Sequence, residues 1–314
     1  MINWGILGLG RMGIAFANAI EETDNSKLKG IASKSGKKFK NFENFSYEDL
    51  IKREDIDAIY IATLNNTHID LIKQISKEGK KILCEKPVSL SLEDLIEAEA
   101  VLNKKNIQFY EAIAYYSHPQ TTEILNLFKD NDLGRIKSIE CNFGFKARFK
   151  TSSRLFDKSL GGGSIFDLGC YPISFFMLFV ENYEKISITS KSLNYAENGV
   201  DDEAELILNY DNKFEGKLNV SLKSNLNNIC KINCENGYIK INEPWLPGQK
   251  ANIEVSAKGH YFIKTINSDL SVYANQIQNV SESFINQNKE TNLFDINKSI
   301  INMKIITNWL KKNN

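Results

Sequence analysis

Six residues, Gly8-Leu9-Gly10-Arg11-Met12-Gly13, constrain what this chain can fold into more than any other stretch. They follow the apolar, β-branched run Ile2–Leu7 and lead into a helix-like segment over 11–21. Gly-x-Gly-x-x-Gly between a strand and a helix points to a turn built for phosphates. The first glycine makes the tight turn, the second lets backbone approach a pyrophosphate, and the third lets helix pack close to strand. The helix N-terminus then offers unpaired N–H groups and a positive dipole end. Gly8, Gly10, Arg11, Met12 and Gly13 are therefore expected to line a dinucleotide site. A purely structural turn is the alternative, and the motif's setting disfavours it.

The segments that follow keep the same rhythm. Strand-like runs at 27–32, 56–62, 81–84 and 107–110 alternate with helix candidates at 47–53, 67–78 and 92–105. Ser46 with Asp49, and Ser91 with Asp94, have the spacing of capping boxes. Strand alternating with helix predicts a parallel sheet covered on both faces. After Pro119 the pattern changes to a helix at 119–130, a strand at 135–147 and a glycine-led helix at 163–181. Strands then follow at 185–195, 203–210, 213–222, 228–234, 237–241, 251–256 and 260–265, with helices at 270–287 and 295–312. The expected class is α/β. Residues 1–118 form a Rossmann parallel sheet, and 119–314 an α+β domain with a large mixed, mostly antiparallel sheet. The last helices are placed to pack back near the first domain.

Composition excludes some partners. Lys+Arg and Asp+Glu both number 39, so a formal net charge of zero gives no reason to seek nucleic acid or an anionic membrane. The most apolar run, Ile173–Val180, falls far short of the ~20 residues that span a bilayer. The N-terminus lacks the basic and apolar regions of a signal peptide. Cysteines at 84, 141, 170, 230 and 234 are odd in number and form no Cys-x-x-Cys, so we read them as reduced thiols of a cytoplasmic protein. Cys230 and Cys234 share a strand face without further ligands, and no metal site is expected.

The end of the second strand bears on the cofactor. A site for NAD usually carries Asp or Glu about 20 residues after the glycines, to bond the ribose 2′-hydroxyl. Here that position is Ser33, followed by Lys34, Lys37 and Lys38. Hydroxyl and ammonium groups suit a 2′-phosphate, so NADP(H) is favoured and NAD(H) is second, with Ser33, Lys34 and Lys38 as ligands. Ordinary solvated lysines are the competing explanation.

Cys84-Glu85-Lys86-Pro87 sits at the carboxyl end of a candidate parallel strand, the edge where open α/β sheets bind ligands. With the glycine loop and Gly161-Gly162-Gly163-Ser164-Ile165-Phe166-Asp167-Leu168-Gly169-Cys170-Tyr171-Pro172, nearly the whole chain resembles the glucose–fructose oxidoreductase/inositol dehydrogenase/MocA (Gfo/Idh/MocA) family. Thr63-Leu64-Asn65-Asn66-Thr67-His68 is similar to the family's Pro-Asn-x-x-His stretch, with leucine in place of proline. Glu111-Ala112 through His118-Pro119-Gln120 is a further match. The resemblance implies a nicotinamide-dependent oxidoreductase acting on a sugar, nucleotide-sugar or cyclic polyol. It places Thr63, Asn65 and Lys86 near the cofactor, with Lys86 in the catalytic site, and leaves Glu85 and His68 as local supports or cofactor neighbours. It also implies a homodimer or homotetramer paired through the second domain's sheet. Where the family commonly has histidine as acid/base, this chain has Tyr171, which resembles the branch of dihydrodiol dehydrogenases and nucleotide-sugar ketoreductases.

Asp167 and Tyr171, four residues apart, should share one face of a helix. A free phenol titrates near ~10, too high for a base at neutral pH, and a nearby ammonium lowers that value. Tyr171 is thus the expected acid/base, Lys86 its electrostatic partner and Asp167 the group that orients Lys86 or a substrate hydroxyl. A helix-terminal carboxylate and a packed aromatic are the plain structural alternatives for Asp167 and Tyr171. His118 and Gln120 are candidates for substrate hydroxyls, although a lone histidine before proline is commonly structural, and Arg154 is a candidate for substrate binding. Lys146, Arg148, Lys150 and Arg154 form a basic cluster that suits a phosphate or simply solvent. No Tyr-x-x-x-Lys spacing supports a short-chain reductase. A non-catalytic NADP-binding sensor on the same fold is the second functional reading.

Overall fold

The computed structural model describes residues 1–129, 132–286 and 292–311. In chain order the elements begin with β1 (Ile2–Leu7), α1 (Arg11–Ala19), β2 (Ser26–Ala32), β3 (Asn44–Phe45) and α2 (Tyr47–Lys52). Next come β4 (Ala58–Ile61), α3 (His68–Lys77), β5 (Lys81–Cys84), α4 (Leu92–Lys105) and β6 (Phe109–Glu111). Then follow α5 (Pro119–Asn126), β7 (Ile136–Gly144), α6 (Cys170–Met177), β8 (Ile186–Tyr195) and β9 (Asp201–Tyr210). Strands β10 (Phe214–Ser221), β11 (Cys230–Cys234), β12 (Gly237–Ile241), β13 (Lys250–Ala257) and β14 (His260–Asn267) precede α7 (Val272–Asn286) and α8 (Ile296–Leu310). Residues 130, 287 and 312, which the sequence reading includes in helices, lie outside the described residues.

Two compact units divide the chain: Met1–His118 with Asp269–Ile300, and Pro119–Ser268 with Ile301–Asn314. The first holds a parallel sheet in the order β3-β2-β1-β4-β5-β6. Its strands are short and apolar because both faces are covered. Trp4, Ile6, Ile31, Tyr60 and Leu83 pack in one buried cluster with Phe16 of α1 and Ala274, Ile277, Val280 and Phe284 of α7. The sequence places 119–314 in a second domain whose last helices pack back near the first; Asp269–Ile300 belongs with the first unit. The amphipathic period of α7 announces a buried face without saying which core receives it. Trp4 decides the matter: its indole N–H donates to Ser281 Oγ at 3.0 Å, and its ring lies 5.8 Å from that of Phe284.

The second unit holds eight strands in the order β14-β13-β12-β11-β7-β10-β9-β8, antiparallel throughout except for the parallel pair β10–β7. The mixed, mostly antiparallel sheet expected from the strand pattern is therefore present. Alternation along β9 buries Ala204, Leu206, Leu208 and Tyr210 on one face. Gly216 leaves room for Phe176 of α6, whose ring carbon would stand 2.4 Å from a Cβ there. The segment read as one helix over 163–181 is instead a π-helical turn, Ile165–Gly169, running into α6. Such turns arise where a helix accommodates one extra residue, and they recur at functional sites.

Candidate active site

In the first unit, the glycine motif forms an open cradle. Gly8 has φ +96°, and a Cβ on it would lie 2.5 Å from the Ala62 carbonyl oxygen. A Cβ on Gly13 would lie 2.1 Å from the Gly8 carbonyl oxygen, so helix α1 seats against β1 only without a side chain there. A Cβ on Gly10 would meet nothing within 4 Å. That space lies at the N-cap of α1, where no side chain caps the helix and the first turn carries no acidic residue. Free N–H groups, a positive dipole end and an open approach suit a pyrophosphate. At the end of β2, the Ser33 N–H donates to Asn44 Oδ1 at 2.8 Å while Asn44 Nδ2 returns a bond to the Ser33 carbonyl at 3.1 Å. Ser33 Oγ lies 3.0 Å from Ser35 Oγ, the Lys34 ammonium stands 5.2 Å from the Tyr47 ring centroid, and Lys38 is exposed. These residues fit an adenosine ribose carrying extra negative charge.

The Glu85-Lys86-Pro87 turn leaves the carboxyl end of β5, and the Lys86–Pro87 peptide is cis. Tyr60, buried in β4 and stacked on Phe16 with centroids 4.1 Å apart, donates its hydroxyl to Glu85 Oε1. Burial drives the Tyr60 phenol well above its ordinary range, so it remains a donor. Burial also raises Glu85, against the Tyr60 bond and the charges of Lys86 and Arg11. His68 is fully buried, with Nδ1 3.0 Å from the Pro87 carbonyl oxygen and Nε2 3.4 Å from that of Thr63. Burial lowers its pKa to about 4, which leaves a neutral ring with one N–H, and the closer contact, to Pro87, ties the turn to the start of α3. Its position is that of a loop support, one of the two roles the sequence leaves open for it. Thr63 Oγ1 and Thr67 Oγ1 bond at 2.7 Å, and Asn65 opens the single 3-10 turn that follows Leu64.

In the second unit, Gly163 has φ +121° and a Cβ there would lie 2.2 Å from Asp201 Oδ1. The buried Asp201 carboxylate accepts Ser164 Oγ–H and Ile165 N–H, each at 2.8 Å. It thereby anchors the start of the π-helical turn, and its burial pushes its pKa up to about 6. Asp167, inside that turn, receives both terminal nitrogens of Arg154 at 3.1 Å on one oxygen. Of the basic cluster, Arg154 holds Asp167, while Lys146, Arg148 and Lys150 are exposed. Tyr171 opens α6, half-buried, its ring edge-on to Phe143 at 5.2 Å and to Trp245 at 6.0 Å. Gln120 is buried and donates to the Glu243 carbonyl at 3.2 Å; His118, at the end of the first unit's opening segment, is fully buried.

Comparison with known proteins matches both parts of the chain. Residues 2–113 match an oxidoreductase family with an NAD-binding Rossmann fold, and residues 121–240 match the GFO/IDH/MocA C-terminal domain. The chain belongs to the Gfo/Idh/MocA oxidoreductase family. A trans-1,2-dihydrobenzene-1,2-diol dehydrogenase of Xenopus tropicalis is 32% identical over 255 residues, covering 78% of this chain and 76% of the relative. A D-xylose 1-dehydrogenase (NADP(+)) of Haloferax volcanii is 27% identical over 197 residues, covering 63% of this chain and 60% of that protein. Among solved structures, the 3-ketoreductase KijD10 of Actinomadura kijaniata, in complex with NADP and TDP-benzene, superposes with a TM-score of 0.86. That match covers 98% of this chain and 96% of the ketoreductase at 19% identity, a likeness of fold.

As a Gfo/Idh/MocA protein the chain is a nicotinamide-dependent oxidoreductase acting on CH–OH or carbonyl carbons. Among the described residues, no cluster of three His, Cys, Asp or Glu side chains is placed to hold a metal ion, and no helix is long and apolar enough to cross a membrane. Sequence reasoning passed over Tyr60 and Tyr273, and took Glu111 only as part of a motif match. Tyr273 of α7 senses Glu85, Arg11 and Lys86 electrostatically. Glu111 ends β6 as Glu85 follows β5, and the rule that ligands gather at carboxyl ends of parallel strands would have found it.

Proposed function

We propose that this protein transfers a hydride between NADP(H) and a carbon bearing oxygen in a sugar-like substrate, with Lys86 and Tyr171 acting on that oxygen. The observation that carries this reading is the fixing of the Lys86 turn at the carboxyl edge of the parallel sheet. Tyr60 holds Glu85 on one side of Lys86, and His68 holds the Pro87 carbonyl on the other. A turn so restrained presents its ammonium with little entropy left to lose.

The nicotinamide, when bound, supplies or accepts the hydride. As a carbonyl becomes an alcohol, negative charge develops on its oxygen, and Lys86 stabilises it. Tyr171 delivers the proton to the same oxygen and takes it back in the oxidative direction. Asp167, set by Arg154, orients the substrate hydroxyls. The Ser33 carbonyl and N–H, clamped by Asn44, hold the β2 terminus, so that Ser33 Oγ, Lys34 and Lys38 favour the 2′-phosphate of NADP(H) over NAD(H). Names of relatives that include a pentose dehydrogenase and a cyclic diol dehydrogenase support the substrate class. Five buried free cysteines among the described residues support a reducing compartment, the cytoplasm. The last strand exposes Tyr261, Phe262 and Ile263, which supports pairing of copies through the second unit's sheet into a homodimer or dimer of dimers.

Absorbance at the nicotinamide band, with NADP⁺ plus aldoses and cyclic diols or NADPH plus keto-sugars, tests the reading. Turnover lost in Lys86→Ala and in Tyr171→Phe is the expected result. Near-wild-type kcat in both variants overturns the residue assignment, and cofactor binding without any turnover leaves a binding protein instead.

A further inference from the structure

Glu111 is nearly fully buried, with 4% exposure, and nothing in the mechanism above uses it. Its carboxylate Oε1 accepts the Val88 N–H at 3.1 Å, two residues beyond Lys86. Its other bond is to Ser299 of α8, whose single hydroxyl hydrogen serves either the Glu111 carboxylate or the Asp295 carbonyl oxygen 3.1 Å away. The backbone on either side is pinned as well: Glu111 N–H donates to the Phe294 carbonyl and Ala112 N–H to that of Cys84, each at 2.8 Å. The carboxylate therefore holds one place, between the Lys86 turn and α8.

We propose that Glu111 is a positioning residue: through the Val88 N–H it fixes the turn that presents Lys86, and its ionised form is the one that holds the turn competent. The inference rests on the role given to Lys86 above. A carboxylate accepting an N–H makes a shorter and stronger bond than the neutral acid does. On protonation, the acid hydrogen goes to Ser299 Oγ and the grip on Val88 weakens.

The groups that face Glu111 are few. From β5 and the residue after it come Cys84 and Glu85; from the turn comes Lys86; from α8 comes the uncharged Ser299. Burial keeps Cys84 a thiol. Glu85 is raised by burial and held by Tyr60. Two buried carboxyls thus share one ammonium, and burial places the Glu111 titration at about 7. The Ser299 bond works against that rise.

The test uses the cofactor-free protein and a readout that needs no turnover, the rate at which acetic anhydride acylates Lys86, followed by peptide mapping from pH 5.5 to 8.5. Removing the neighbouring negative charge frees the amine, so Glu111→Gln acylates roughly five times faster than wild type at pH 8.5 and at an equal rate at pH 5.5. Ser299→Ala removes the bond that favours the carboxylate, and its inflection moves to higher pH. A second arm follows kcat/KM for D-xylose with NADP⁺. Wild type rises through about pH 7 while Glu111→Gln stays near the low-pH plateau, about tenfold lower at pH 8. A Glu111→Gln ratio that does not vary with pH, or a Ser299→Ala profile that coincides with wild type, overturns the proposal. If Lys86→Ala leaves kcat unchanged while the acylation result holds, the reading of Lys86 fails and Glu111's grip on the turn stands.

Discussion

Arg154 places both of its terminal guanidinium nitrogens 3.1 Å from a single oxygen of Asp167. Asp167 is largely buried in the π-helical turn while nearly half of the arginine side chain is exposed. An ion pair open to solvent on one side adds at most about 1 kcal/mol to stability. In the mechanism proposed above its work is orientation. Arg154→Met and Asp167→Asn are each expected to lower kcat/KM about tenfold with little change in Tm. The double variant should lose no more than either single one, and additive losses would show that the two act separately.

Tyr171 packs edge-on to Phe143 and Trp245 through its ring, and Phe preserves that packing. Tyr171→Phe should keep the wild-type Tm and NADPH affinity while kcat falls by about 10²–10⁴, the usual worth of a positioned acid/base. Stopped-flow measurement of the chemical step checks this, and a loss confined to KM would count against proton transfer.

The pH dependence of stability follows from His68 and Glu111, which work in opposite directions. Burial holds folded His68 at about 4, below its ordinary 6.5. Its contribution is fully present above pH 6.5 and is lost as pH falls toward 4, a span worth roughly 3 kcal/mol. Folding raises Glu111 from 4.5 to about 7, so its contribution is fully present below pH 4.5 and is lost as pH rises through 7. Thermal melts from pH 5 to 8 should therefore show His68→Gln losing less Tm than wild type on acidification. Glu111→Gln should gain on wild type toward pH 8.

The glycine loop separates structure from binding. A Cβ at position 13 collides with the Gly8 carbonyl, whereas position 10 faces open space. Gly13→Ala should destabilise the protein by roughly 3 kcal/mol or fail to fold. Gly10→Ala should melt within about 2 °C of wild type, and NADPH binding, followed by fluorescence quenching, should weaken roughly tenfold. Equal melting losses in the two variants would remove position 10 from the cofactor site.

Both sheets and their strand directions were readable from periodicity, because a strand buried on two faces and a strand buried on one carry different hydrophobic patterns. The motif residues were readable too: glycine before a helix, and Lys86 at a strand's carboxyl end. Less visible was what each polar side chain does once packed. The sequence offers His68 as a support or a cofactor neighbour and Arg154 as a substrate group, without showing that one meets the Pro87 carbonyl and the other the Asp167 carboxylate. Tyr60 and Glu111 hide inside strands, where alternation accounts for them without any reference to Lys86. The π-helical turn at Ile165–Gly169 left no periodic trace either, since five residues are too few to shift a helical pattern.

Trp4 is covered by Ser281 and Phe284, contacts that span some 280 positions of chain. A ribosome releases β1 well before α7, and the Trp4 indole must wait for that helix. The dinucleotide-binding unit thus cannot close until the second sheet has been made. An isolated 1–118 fragment would leave that indole and its neighbours facing water, inviting aggregation.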